Sequence, residues 1–222
     1  MARRTLTELV RPTHTAVVTQ ECQGAVIGHD AALAELAAAA NREAIPNIAR
    51  LLPAARRSGV HVIHCLFQRR ADGLGSNHNA PLFAATRALG MDLSPGSPGA
   101  SLLPQLGPDE GDLVLTRFHG VGPMGGTDLD SVLRNLGVTT IIATGVSVNI
   151  AIPSLVMDGV NSGYDVVVPR DAVAGVPDDY AKAVIDNSLA LLATVTTTVE
   201  LLDAWEGGAD VALPLRPPEV TG

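Results

Sequence analysis

Glu21 directly follows the apolar run "TAVVTQ" (15–20), Arg117 and His119 leave "DLVLTR" (112–117), and the turn "TGVSVNIAIPS" (144–154) follows "VTTIIA". A carboxylate at the end of a buried strand is partly desolvated, a setting that suits a general acid or base; a solvated loop carboxylate is the alternative. Arg117 and His119 put a fixed cation beside an imidazole in "TRFHGVGPMGGTDLD", whose four glycines let the backbone approach a ligand. The alternative there is a glycine-rich turn whose arginine pairs with a surface acid and whose histidine bonds a carbonyl. In the third segment Asn149 is placed to cap a helix beginning near Ile150, and the free amides of its first turn suit a carbonyl oxygen or a carboxylate. Ser147 has no G-x-S-x-G elbow and no evident activating base, and the turn holds no cysteine, so its amides rather than its side chains carry the chemistry.

The remaining polar candidates are weaker. In "VHVIHCLF" (60–67) His64 and Cys65 face opposite sides of a strand, so one of them belongs to the core; His78 in "GSNHNAP" reads as a surface histidine and Cys22 as a buried thiol. No cluster of His, Cys and acids has metal-ligand spacing and no glycine-rich phosphate loop follows the first strand, so neither a metal nor a cofactor is expected.

These groups need a scaffold that brings strand ends together. Apolar runs at 15–20, 60–67, 112–117, 139–145, 165–169 and 196–200 read as strands covered on both faces. Helical patterns separate them: "REAIPNIARLLPAARRSG" closes at Gly59, and "TDLDSVLRNLG" opens on a capping Thr127 and closes at Gly137. Alternating β and α segments predict an α/β fold, a mostly parallel sheet of six strands with helices on both faces, and ligands at the carboxyl ends of the strands. The 222 residues fit one domain, read as an arm at 1–12, a domain at 13–205 and a Gly- and Pro-rich tail at 206–222.

Composition narrows the partners. A formal charge of −8, aromatics at 3% and basic residues scattered in pairs exclude a nucleic-acid surface, and no apolar stretch is long enough to span a membrane. Two cysteines in apolar surroundings and an N-terminus without a signal-like apolar segment predict a reducing cytoplasm. The expected partner is a small-molecule substrate.

Four stretches in order, "TAVVTQECQGAVIG", "IPNIARLLPAARRSGVHVIHC", "GTDLDSVLRNLGVTTIIATGVSVNIAI" and "GYDVVVPRDAVAG", resemble the blocks of the isochorismatase-like hydrolases, also called the cysteine hydrolase family, over roughly residues 13–205. The resemblance implies a three-layer α/β/α fold with a six-stranded sheet in the order 3-2-1-4-5-6, and a dimer or tetramer to which the alanine-rich "DAALAELAAAANREA" could contribute contact or core. It lays the family's catalytic aspartate on Glu21, its lysine at or near Arg117 and its cysteine on Ala151. Asn149 matches the polar residue before that cysteine, and Ser147 and Ala151 supply the oxyanion-binding amides. With Gln20 at the end of the first strand, these residues are the expected substrate contacts. A non-proline cis peptide is expected around Val146 and Ser147.

These departures bear on mechanism. An alanine forms no thioester, and a guanidinium does not relay protons, so the family's usual amide hydrolysis is not expected. The isochorismate-cleaving branch, which also lacks the cysteine, works by carboxyl acid catalysis. That leaves two readings: a hydrolase using Glu21, with Arg117 and His119 on an anionic substrate, or a catalytically inactive member that binds a small molecule or an oligomeric partner.

Overall fold

Thr15–Gln20 (β1) and Thr140–Val146 (β4) are buried at every position, as apolar runs are when helices cover both faces of a sheet. They pair in parallel from Thr15 opposite Thr140 to Gln20 opposite Gly145. Outside β1 lie His61–Phe67 (β2) and then Leu113–Arg117 (β3); outside β4 lies Asp165–Pro169 (β5). The two-residue Val173–Ala174 (β6) pairs with the end of β4, and Thr194–Thr196 (β7) pairs with β5. Every pair is parallel, in the order β3-β2-β1-β4-β5-β7. The expected order is therefore met, with β6 added at the side. The structure, a computed structural model, describes residues 4–207, so the expected tail lies outside the described residues from 208 onward.

The helices are Leu6–Leu9 (α1), Gly24–Ile27 (α2), Ala34–Ala39 (α3), Ile45–Ser58 (α4), Pro81–Ala88 (α5), Leu129–Asn135 (α6), Ala151–Asn161 (α7), Asp178–Asn187 (α8) and Thr198–Glu206 (α9). One core cluster joins α1 to α4 and α9 to one face of the sheet, and a second joins α6, α7 and α8 to the other. α3 runs through a π-helical turn at Ala40–Ala44 into α4, which stops at Gly59 with φ 80° as its glycine predicts. The alanine-rich stretch gives Leu36, Ala37, Ala39, Ala40 and Ala44 to the core. Thr127 accepts from the Leu129 amide at 3.2 Å, but the N-cap of α6 is Asp128 and not the expected Thr127.

Three further expectations are corrected. The segment read as an N-terminal arm packs into the core through Leu6, Leu9 and Val10, and Trp205 Nε1 donates to the Val10 carbonyl at 2.9 Å. In the run "TTTVE" only Thr196 is strand and Thr198, Val199 and Glu200 are helix: Thr197 accepts from the Glu200 amide and the Glu200 carboxylate accepts from the Thr197 amide, a capping box that ends β7 and starts α9. β3 is not covered on both faces, because it is the edge strand and leaves Leu113 and Val114 exposed.

Candidate active site

Glu21 is the first residue beyond β1 and has φ 51°, the single non-glycine residue in the left-handed region among the described residues. Such a conformation costs roughly 1–3 kcal/mol and persists where its surroundings fix it. Here the Glu21 amide donates to the Cys65 carbonyl at 3.0 Å and the Gln23 amide donates to the Glu21 carbonyl at 2.8 Å. Gln23, fully buried, clamps the next element: its Nε2 donates to the carbonyls of Phe67 and Ala100, both at 2.8 Å, and its Oε1 accepts from the Phe67 amide at 2.7 Å. Gln23→Ala leaves three buried backbone groups without partners, and we expect a stability loss of about 2–3 kcal/mol in a urea titration. An unchanged midpoint would show that this clamp does not hold the turn.

The clamp aims the Glu21 side chain into a hollow of about 120 Å³ at the carboxyl ends of the strands, lined by Val26, Leu33, Leu36, Phe67, Met91 and Leu93 and by Leu82, Phe83 and Thr86 of α5. Arg117, the last residue of β3, reaches the same hollow and donates from Nη2 to Glu21 Oε1. Its guanidinium lies over the Phe67 ring, 5.3 Å from the centroid. The Arg117 side chain is 3% exposed, and its Nε and Nη1 have no hydrogen-bond partner among the described residues. An ion pair at the base of an apolar hollow, with two donors unused, is an arrangement suited to a small polar molecule.

Ser147, Ile150 and Ala151 also line the hollow. The Val146–Ser147 peptide is cis, as expected. The Val148 amide donates to the Ala174 carbonyl at 2.8 Å, and those of Ile150 and Ile152 donate to the Ser147 carbonyl at 3.2 and 3.0 Å. Asn149 does not cap α7, whose N-cap is Ile150. Its amide is held instead by the backbone of Val176, accepting from that N–H at 3.0 Å and donating to that carbonyl, so it ties the turn to the loop after β6. Gln20 is fully buried and does not line the hollow, because as the end of β1 it lies between Cys65 and Gly145 on the two neighbouring strands. His119 also stands outside the hollow. It lines an adjacent niche with Arg69, Asn77 and Arg87, separated by Phe67, Phe83 and Thr86.

Residues 15–200, nearly all of the sheet and its helices, match the isochorismatase domain family. The chain belongs to the isochorismatase family. The ureidoacrylate amidohydrolase RutB of Enterobacter sp. (strain 638) is 30% identical over 213 residues, which cover 87% of this chain and 90% of that protein. A cysteine hydrolase from Pseudomonas syringae pv. phaseolicola 1448A has the same fold, with a TM-score of 0.80 at 26% identity, over 93% of this chain and 99% of that one. N-carbamoylsarcosine amidase from Thermoplasma acidophilum shares the fold at a TM-score of 0.66 and 23% identity, covering 83% and 96% of the two chains. This chain is thus an isochorismatase-family hydrolase.

The thiols of this family member stand apart from its hollow. Ala151 opens α7 at the wall, whereas Cys22 and Cys65 are buried and neither lines the hollow. Burial pushes the Cys22 thiol up to about 12, with the Glu21 charge adding to the rise, and burial pushes Cys65 up to about 12 against the opposing pull of Arg117. Neither is a ready thiolate. Among the described residues no three His, Cys, Asp or Glu side chains stand close enough to hold a metal, and no helix is long and apolar enough to cross a membrane. A larger groove of about 340 Å³ between the π-helical turn and α8 is lined by charges that pair with one another, Arg42 with Asp178 at 2.6 Å and Arg170 with Asp186 at 2.7 Å.

Behind β1 and β2 runs a second buried network. His64, fully buried, has Nδ1 2.7 Å from the Thr19 hydroxyl and Nε2 3.2 Å from Asp112, whose carboxylate also accepts from Arg56 at 2.7 and 3.1 Å. An ionised carboxylate only accepts, so Nε2 donates to it and Nδ1 accepts from Thr19. Burial holds the His64 imidazole below its usual value, with Asp112 pulling the other way. A histidine depressed in the folded state binds its proton more readily when unfolded, so its contribution to stability is complete above about pH 6.5 and is lost as pH falls below that. We expect the urea midpoint to drop between pH 7.5 and pH 5 in the parent protein and to drop less in His64→Gln; equal drops would remove His64 as the source.

Proposed function

We propose that this isochorismatase-family hydrolase acts on a small carbonyl-containing or anionic metabolite through carboxyl acid/base catalysis by Glu21, without a cysteine nucleophile. The observation that carries this reading is the Glu21–Arg117 ion pair at the base of an apolar hollow where two guanidinium donors are still unused. In an ion pair Glu21 is an acceptor, so it enters as a base. It takes a proton from a water, the water oxygen bonds to the substrate carbonyl carbon, and the carbonyl oxygen gathers negative charge. The amides of Ser147 and Ala151 hold that oxygen at the start of α7, where the helix dipole favours negative charge. The carbonyl then re-forms, the bond from its carbon to the leaving nitrogen or oxygen breaks, and Glu21 returns the proton to that leaving atom. Arg117 does not relay protons; it fixes the carboxylate and lends the hollow a positive charge.

The relative named for ureidoacrylate makes a carbamoyl amide the first substrate to try. The test is an assay of the purified protein with ureidoacrylate, isochorismate and nicotinamide, each repeated with Glu21→Gln. Turnover that disappears in the variant supports the reading, and turnover that survives removes it. The alanine at position 151 favours the second reading, an inactive binding protein, and tight binding of an unaltered metabolite by the parent protein would establish that instead. We also propose a cytoplasmic setting, supported by two unpaired cysteines, and a homo-oligomer, supported by exposed Leu82, Leu89, Ile150 and Met157.

A further inference from the structure

We propose that the hollow selects a neutral substrate whose carbonyl end carries a compact apolar group, and that Leu33 and Phe83 favour this group over a second charge. The proposal rests on the reading of the hollow as the reaction site and names its substrate class. Glu21 and Arg117 are the only charged side chains that line the hollow among the described residues, and they pair with each other. A substrate carboxylate there would meet a cation already matched, with the Glu21 charge beside it. Further cations are shut out: Arg69, Arg87 and His119 stand behind Phe67, Phe83 and Thr86 in a niche of about 10 Å³, room for about one water. Taking a carboxylate out of water without a free partner is costly, whereas an apolar group gains from the same transfer.

The rest of the lining suits such a group. Val26, Leu36, Met91 and Leu93 are buried and belong to the core, so their part of the wall is fixed by packing. The half-buried Leu33, at the N-cap of α3, and Phe83, on α5, complete it. The polar side chains add little. The Thr86 hydroxyl donates to the Phe83 carbonyl of its own helix at 3.3 Å, which leaves Ser147 beside the ion pair. Size sets the other limit. A hollow of about 120 Å³ holds roughly eight to twelve water-sized atoms. An amide or urea head takes about three or four of these, which leaves room for a group between isobutyl and benzyl in size.

The test is titration calorimetry of the full chain with isopentylurea, 3-ureidopropionate and methylurea at neutral pH; ammonia release, where it occurs, gives KM in place of Kd. Isopentylurea and 3-ureidopropionate share one shape and differ in an isopropyl group against a carboxylate, and methylurea carries the polar head with a single methyl group. The parent protein should bind isopentylurea roughly 10- to 100-fold more tightly than either of the others. Leu33→Ala and Phe83→Ala, each at a half-buried position, should weaken isopentylurea by roughly 5- to 20-fold and leave 3-ureidopropionate within about twofold. Equal or tighter binding of 3-ureidopropionate or methylurea, no binding of isopentylurea, or isopentylurea binding that either substitution leaves unchanged would each overturn the proposal. Glu21→Gln separates it from the catalytic reading. Isopentylurea turnover that persists in that variant would remove the role of Glu21 and keep the parent's ranking of ligands, whereas a reversed ranking with turnover lost in the variant would do the opposite.

Discussion

Glu21→Gln should lose about 10²- to 10⁴-fold in kcat/KM on whichever substrate the parent turns over, the usual worth of a positioned acid or base, and should also lower the melting temperature, because the buried Arg117 guanidinium loses its counter-charge. The substitution keeps the shape of the side chain and its bond to Arg117 Nη2, but the amide cannot accept a proton from water. Because kcat and kcat/KM should fall together, the loss belongs to the transition state rather than to binding. A variant with parent-like kcat and raised KM would mean that Glu21 only binds substrate.

Gly145→Ala should be among the most damaging single substitutions in the chain. Gly145 has φ 101°, and a Cβ there would stand 2.3 Å from the Gln20 carbonyl oxygen, 2.8 Å from its nitrogen and 3.0 Å from the Cys22 sulfur. The backbone strain and the overpacking each cost about 1–3 kcal/mol, so a loss of roughly 4 kcal/mol is expected in a denaturant titration. The atoms it would displace are the residues on either side of Glu21, so turnover should fall as well. A midpoint within 1 kcal/mol of the parent would show that β1 and β4 part more easily than their fully buried pairing implies.

The sheet is legible in the sequence because parallel strands buried on both faces read as unbroken apolar runs, as in Thr15–Gln20 and Thr140–Val146. The same signal cannot tell an inner strand from an edge one, which is why β3 was expected to be covered. The T-x-x-E box at Thr197 and Glu200 is a local signal that marks the start of α9 inside a run whose residue types also suit a strand. Within residues 68–111 no helix or strand is legible: α5 has no fully buried residue and hence no clear apolar stripe, yet its Leu82, Phe83 and Thr86 line the hollow.

The site divides in the same way. Glu21 and Arg117 were legible because each sits at a strand end, where the sheet fixes position and the topology brings ends together. His119, only two residues beyond β3, escaped that rule. Once the strand has ended, alternation no longer sets the side on which a residue stands, and Gly120 with φ 75° turns the chain. Asn149 has the residue type of a cap but finds the backbone of Val176, which only the fold brings near. Gln23 is not legible as a clamp, because its partners Phe67 and Ala100 are brought near only by the fold.

The central claim is that a carboxylate and not a thiol drives the reaction in the hollow. Its most direct test is kcat/KM of the cysteine-free protein, Cys22→Ala with Cys65→Ala. The account predicts turnover within a few-fold of the parent, because both sulfurs are buried outside the hollow. Loss of turnover by orders of magnitude in a protein that still melts cooperatively would contradict it.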